Sequence, residues 1–191
     1  GVPVLTNVRL TGLQFSSDGS VALLVQGRDT RAGGASTLEI WNLADNKRTP
    51  LTQLGEVNSP ALTENGKAVA YTQKAADTLP LLLVCDLNGD PPRAIFPTEE
   101  NNEPGATTYC IHAFPDNDRF LFYAPGGANI WTIRRDGTNI KKYPLPEGRS
   151  SPIMVAIAED GATATLTLAQ GAAESLLYEV HKLDFNAKRF T

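Results

Sequence analysis

The sequence predicts an all-β fold, a β-propeller of about four four-stranded antiparallel blades, on two observations. Four similar segments recur along its 191 residues, and helical periodicity is nearly absent, because Pro and Gly interrupt every window in which a helix could run. The recurrent segments are Phe15-Ser16-Ser17-Asp18-Gly19, Leu62-Thr63-Glu64-Asn65-Gly66, Phe114-Pro115-Asp116-Asn117-Asp118 and Ile157-Ala158-Glu159-Asp160-Gly161. Their last residues, at 19, 66, 118 and 161, are 47, 52 and 43 positions apart. Each is an apolar residue followed by polar turn formers and, in three of the four, Gly. Gly, Asn and Asp tolerate the positive φ that tight hairpins need.

An apolar strand follows each turn, at residues 21–25, 68–71, 120–123 and 163–168. These are second strands, B. A third set, C, comes next: Leu38-Glu39-Ile40-Trp41-Asn42-Leu43, Leu82-Leu83-Val84-Cys85-Asp86-Leu87, Ile130-Trp131-Thr132-Ile133-Arg134 and Leu177-Tyr178-Glu179-Val180-His181. β-Branched and aromatic residues suit a pleated surface. Short Asn/Asp turns follow, then a brief edge strand D, best seen at Thr49-Pro50-Leu51-Thr52 and Arg189-Phe190-Thr191. Repeats of ~40–50 residues with four strands each are propeller blades, whose apolar faces leave water only by stacking on neighbours. The repeats span roughly residues 12–54, 55–97, 107–146 and 150–191, and residues 1–11 read as a surplus strand and linker, since Pro3-Val4-Leu5-Thr6 mimics Thr49-Pro50-Leu51-Thr52. Four blades plus one strand fit either a closed ring or a fragment of a larger propeller.

The motifs Phe-Ser-x-Asp-Gly, Ile-Trp-x-Leu and Val-x-Asp-Leu, together with Ile130-Trp131-Thr132-Ile133-Arg134-Arg135-Asp136-Gly137, resemble the TolB-like β-propeller repeat. Leu38-Glu39-Ile40-Trp41-Asn42-Leu43 is equally similar to a WD-type blade, with Asn42 where that family carries Asp, but the Gly-His dipeptide of WD blades is absent. The resemblance covers about residues 12–191. It implies an extracytoplasmic bacterial setting, periplasmic or secreted, and an adaptor role in an envelope complex; a cytoplasmic setting is the alternative.

Composition narrows the function. The net charge of −4, from 17 basic and 21 acidic residues, argues against a nucleic-acid backbone binder. The longest apolar runs, 81–85 and 153–158, fall far short of the ~20 residues a membrane-spanning helix needs, so no membrane insertion is expected. The start, Gly1-Val2-Pro3, shows no signal peptide. Cys85 and Cys110 lie in strand-like segments and read as two buried free thiols, with one disulfide as the alternative.

In a blade the A–B and C–D turns share one face and the B–C and D–A loops share the other. The former are short and uniform; the latter, at residues 26–37, 73–80 and 96–107, are long and dissimilar. Function concentrates on variable loops held by rigid strands. The candidate binding residues are therefore Arg28, Arg31, Glu56, Asn58, Glu99, Glu100, Tyr109, His112 and Arg149. His112 is placed on an inner strand facing the central channel, and His181 on the surface. The acidic stretch from Thr98 to Glu103 lacks calcium-loop spacing and reads as a solvated loop. Zinc spacings, a Gly-x-Ser-x-Gly elbow, a Gly-x-Gly-x-x-Gly loop and a Walker loop are all missing. The expectation is a non-enzymatic module without catalytic residues, cofactor or metal, which binds a protein or peptide and has a second copy or a second propeller segment as a further partner. The rivals are an accessory propeller gating a larger hydrolase or peptidase, and a propeller-fold polysaccharide lyase.

Overall fold

The structure is a computed structural model that describes residues 10–26, 37–51, 56–74, 79–170 and 177–191. Among these described residues, sixteen strands form four antiparallel four-stranded sheets, each in sequence order. The first holds β1 (Leu10–Phe15), β2 (Val21–Gln26), β3 (Thr37–Asn42) and β4 (Lys47–Pro50). The second holds β5 (Glu56–Leu62), β6 (Ala68–Lys74), β7 (Leu81–Asp86) and β8 (Arg93–Phe96). The third holds β9 (Cys110–Ala113), β10 (Arg119–Tyr123), β11 (Asn129–Arg134) and β12 (Lys141–Pro144). The fourth holds β13 (Met154–Ile157), β14 (Thr163–Gln170), β15 (Leu177–Asp184) and β16 (Arg189–Phe190). This is the four-bladed array expected from the repeats. The surplus segment at residues 3–6 lies outside the described residues.

Turn chemistry sets the blades. Gly19, Gly66, Asn117 and Gly161 hold positive φ of 60–69° and close each A–B turn by donating the backbone N–H to the carbonyl three residues earlier. The third repeat therefore differs from its sequence alignment by one residue. Asn117, not Asp118, occupies the glycine position, because asparagine also tolerates the left-handed conformation. The Cα pairings agree: Phe15, Leu62, Ala113 and Ile157 are each the last A-strand residue paired across the hairpin. The first edge strand also begins earlier than expected, at Lys47, because Asn46 (φ 55°) ends the preceding turn and Asn42 already pairs with Lys47.

Each A–B turn is tied to the next. The Ser17 N–H and hydroxyl donate to the Glu64 carbonyl, the Asn65 N–H donates to Asn117 Oδ1 at 2.8 Å, and the Arg119 guanidinium donates to the Gly161 carbonyl at 3.2 Å. Gly66 makes this close approach possible: a Cβ there would stand 3.0 Å from the Ser16 Cβ of the preceding blade.

Three cores fill the seams between consecutive sheets. Leu23, Leu38 and Ile40 of the first sheet pack on Leu62, Val69, Tyr71, Leu83 and Cys85 of the second. Ala70, Leu82, Val84 and Phe96 of the second meet Phe120, Phe122, Trp131 and Ile133 of the third. Leu121, Tyr123, Ile130 and Tyr143 of the third meet Ala164, Leu166, Leu168 and Leu183 of the fourth. Strand alternation sends successive residues to opposite seams, so every internal blade serves two cores. Cys85 belongs to the first of these and Cys110 packs on the third, so both thiols are free, and burial pushes the Cys85 thiol up. Among the described residues no apolar core joins the first sheet to the fourth.

Candidate binding site

Two regions collect functional groups, one at each end of the strands. At the A–B turn end, a cavity of about 330 Å³ lies between the four A strands, lined by Gln14, Leu62, Glu64, His112, Pro115 and Ile157 among others. Its wall is braced by Gln14. A bulge in β5 between Asn58 and Ala61, with Ser59 at φ 46°, frees two backbone groups. Gln14 satisfies both: its Nε2 donates to the Pro60 carbonyl at 2.7 Å and its Oε1 accepts from the Leu62 N–H at 2.9 Å.

His112 faces this cavity from β9, where it pairs with Leu121 and stacks on the Tyr123 ring, centroids 6.0 Å apart. Its Nε2 is buried and has no hydrogen-bond partner among the described residues, and burial holds the imidazole below its ordinary value of 6.5. His112, a candidate binding residue in the sequence, thus lines a cavity beside the A–B turns, at the end opposite the B–C and D–A loops.

The direction of this shift predicts a pH dependence. An imidazole that protonates less readily folded than unfolded leaves stability intact above about 6.5 and erodes it as pH falls through that value. A urea midpoint measured at pH 7.5 and again at 5.5 should drop for the native chain. The drop should shrink in His112→Gln. Equal losses in both would remove His112 from the explanation.

The other end carries the long loops. The loop over residues 97–109 joins β8 to β9, and its 97–108 part is anchored by Glu103, which is 8% exposed. Its carboxylate accepts the Trp131 Nε1–H at 3.0 Å and the Asn129 amide at 3.1 Å, and its carbonyl accepts the Ala106 N–H. A short turn, Thr98 N–H to the Asn101 carbonyl at 2.8 Å, then lifts Glu99 and Glu100 into solvent. Sequence reasoning placed Glu103 in a solvated loop, and that is corrected here. The available signal was Trp131 itself, since a buried indole N–H requires an acceptor.

Tyr109, a candidate binding residue in the sequence, is a core residue. It is 0% exposed, packed edge-on against Phe96 and Phe122 with centroids 5.4 and 5.5 Å away. Burial pushes its phenol up to about 12, with the Glu103 carboxylate adding to the shift. Its backbone N–H and carbonyl both meet the buried Thr72 hydroxyl, which joins the second and third sheets. Arg149 is at the loop end but engaged: Nε and Nη2 donate to Glu179 Oε2 at 3.1 and 2.8 Å. His181 Nε2 lies 3.0 Å from the same oxygen, so this histidine sits in the seam rather than on the surface. Arg149 and then His181 hold the Glu179 carboxylate below its usual value. Glu56 and Asn58 lie on β5, with backbones paired to Lys74 and Thr72. Arg28 and Arg31 lie outside the described residues.

The structure thus brings Glu99 and Glu100 together on one loop, directs His112 to the opposite end and places Tyr109 in the core. Among the described residues no three His, Cys, Asp or Glu side chains converge as metal ligands, and no helix is long and apolar enough to cross a membrane.

No protein-family model matches the chain, and no curated protein matches it. Solved structures do. TolB from Acinetobacter baumannii superposes with a TM-score of 0.68 at 17% identity, over 98% of this chain and 44% of that one. The β-propeller domain of the trilobed protease from Pyrococcus furiosus gives 0.64 at 13% identity, over 92% and 54%. An oligogalacturonate lyase in complex with manganese gives 0.66 at 15% identity, over 98% and 54%. This chain spans about half the length of these proteins. Likeness at such identities concerns architecture, and architecture hosts many chemistries. The chain has the fold of a TolB-like β-propeller.

Proposed function

We propose that this chain is a non-enzymatic binding module that recognises a protein or peptide through its B–C/D–A loop face. The observation that carries the reading is the anchoring of loop 97–108. Glu103 holds the loop down through Trp131 and Asn129 while Glu99 and Glu100 remain exposed. A rigid support lowers the entropy lost when a loop binds, and two adjacent carboxylates favour a basic partner segment. The likeness to TolB supports an adaptor role in a bacterial envelope complex. The similar peptidase and lyase propellers keep the gating and lyase readings as rivals.

Peptides selected from a random displayed library on the native chain provide the test. Binding should be enriched in Lys and Arg, weaken with salt, and fall roughly tenfold or more in E99A/E100A, about 1.4 kcal/mol or more. Substitution of Asp45 and Asn88, on turns at the opposite end, should leave it unchanged. Peptides that ignore E99A/E100A and respond to the turn-end substitutions would defeat the loop-face reading.

A further inference from the structure

At the turn end, the seam between the first and second sheets is closed differently from the other two. Strand pairing defines the comparison. Leu38, Leu82 and Ile130 hold one position on the C strands, and Leu51, Phe96 and Tyr143 lie opposite them. Two residues on, Ile40, Val84 and Thr132 pair with Thr49, Arg93 and Lys141. The second sheet fills its seam with both outer residues. Phe96 is buried among rings, and Arg93 Nη2 crosses to donate to the Arg135 carbonyl of the third sheet's turn at 2.8 Å. Between the third and fourth sheets, Tyr143 and Phe185 close the gap with ring centroids 5.6 Å apart. The first sheet supplies Leu51 and an exposed Thr49, and the turn it faces has Leu87 where the later turns have Arg135 and Phe185.

These smaller groups leave a cavity of about 460 Å³, lined by Ile40, Thr49, Leu51, Cys85, Leu87 and Asp90 among others. A second of about 270 Å³ shares Ile40, Thr49 and Leu87 with it. The turn glycines mark the gap. A Cβ on Gly137 would stand 3.4 Å from Ile95 of the preceding sheet, whereas one on Gly89, at the same repeat position, would meet nothing within 4 Å. The interior is apolar and the rim acidic. Asp45, Asp86 and Asp90 line the two cavities, against Lys47 as the one cation among the described lining residues. Asp86 pairs with Arg93 at 2.6 Å and keeps Oδ1 buried without a hydrogen bond, Arg135 Nε standing 3.5 Å away. A space of this size falls within the ~300–1,000 Å³ of small-molecule sites.

We propose that this cavity binds a small guanidinium-bearing molecule with an aliphatic stem. Arg93 is the template. Its guanidinium sits on the next sheet's turn carbonyl and beside a carboxylate, and Thr49 leaves that place open in the first seam. The ligand's planar fork donates to the Leu87 carbonyl and to Asp90, while its stem covers Ile40, Leu51 and Cys85. The site lies inside a seam at the turn end, apart from Glu99 and Glu100, so it stands or falls independently of the loop-face reading.

Butylguanidine titrated to millimolar concentrations, followed by amide NMR, tests it. Resonances of Thr49, Leu87 and Gly89 should shift saturably, and the neutral isostere butylurea should bind at least roughly tenfold more weakly. Asp90→Asn should weaken binding, Lys47→Gln should strengthen it, and E99A/E100A should leave it unchanged. Thr49→Arg, at an exposed position, should abolish binding and raise the melting temperature, because its own guanidinium takes the open place. In a Cys110→Ser chain, butylguanidine should slow alkylation of Cys85. Absence of a saturable shift, equal binding of butylurea, or undiminished binding by a folded Thr49→Arg chain would overturn the proposal. Tighter binding of N-acetyl-arginine amide than of butylguanidine would overturn the free-molecule assignment and make a partner's arginine the occupant.

Discussion

Phe122→Ala should lower the melting temperature by roughly 10 °C, the largest effect of any single truncation considered. Phe122 is 0% exposed and sits among Phe96, Tyr109 and Trp131, with centroids 4.8, 5.5 and 6.4 Å away. Truncating a buried phenylalanine costs about 3–5 kcal/mol, from lost transfer energy and the cavity left behind. At this chain length each kcal/mol shifts the midpoint by about 2–4 °C. Relaxation is limited because the surrounding rings come from different elements: Phe96 from β8, Tyr109 from the loop before β9, Trp131 from β11. Calorimetry of the variant checks this. A shift under about 3 °C would mean that the seam between the second and third sheets does not hold the array together.

Glu103→Ala should release loop 97–108 and weaken peptide binding without loss of the fold. The substitution leaves the buried Trp131 N–H and the Asn129 amide without their acceptor. Orphaning a buried donor costs about 1–3 kcal/mol. Amide exchange in residues 98–106 should accelerate while exchange in β10 and β11 stays slow. Glu103→Gln keeps a carbonyl oxygen for Trp131 and should retain most of the protection. Because Glu103 acts through the placement of Glu99 and Glu100, Glu103→Ala should reduce peptide affinity, and Glu103→Gln should largely restore it. Unchanged exchange in Glu103→Ala would show that the loop is held by something else, and equal peptide binding would separate its anchoring from recognition.

The acid limb of stability has two parts in different pH windows. His112 acts as pH falls through about 6.5. Hydroxyl and amide donors hold several turn carboxylates low: Ser16 and Ser20 bring Asp18 to about 2, and the Ala187 and Asn186 N–H groups depress Asp184. Groups shifted this way contribute stability above their unfolded pKa near 4, and that contribution is lost as pH falls through the folded value. The two phases should therefore separate in a stability–pH profile.

The sequence by itself determined the number of blades, the order of strands and the ends bearing short turns and long loops. These follow from local chemistry: an apolar residue, an Asx or hydroxyl group and a left-handed position within five residues are enough to reverse the chain. The same locality explains the one-residue misalignment of the third repeat, where Asn117 performs the backbone role expected of glycine. Only the tertiary structure decided what the side chains do. Tyr109 looked like a loop-face residue and became a core ring because Phe96 and Phe122, on strands of two different sheets, close over it. Glu103 became an anchor because Trp131 presents its N–H there. Burial of a blade face depends on a neighbouring blade, so Leu82 and Val180 can share a repeat position while one is enclosed and the other stands in water.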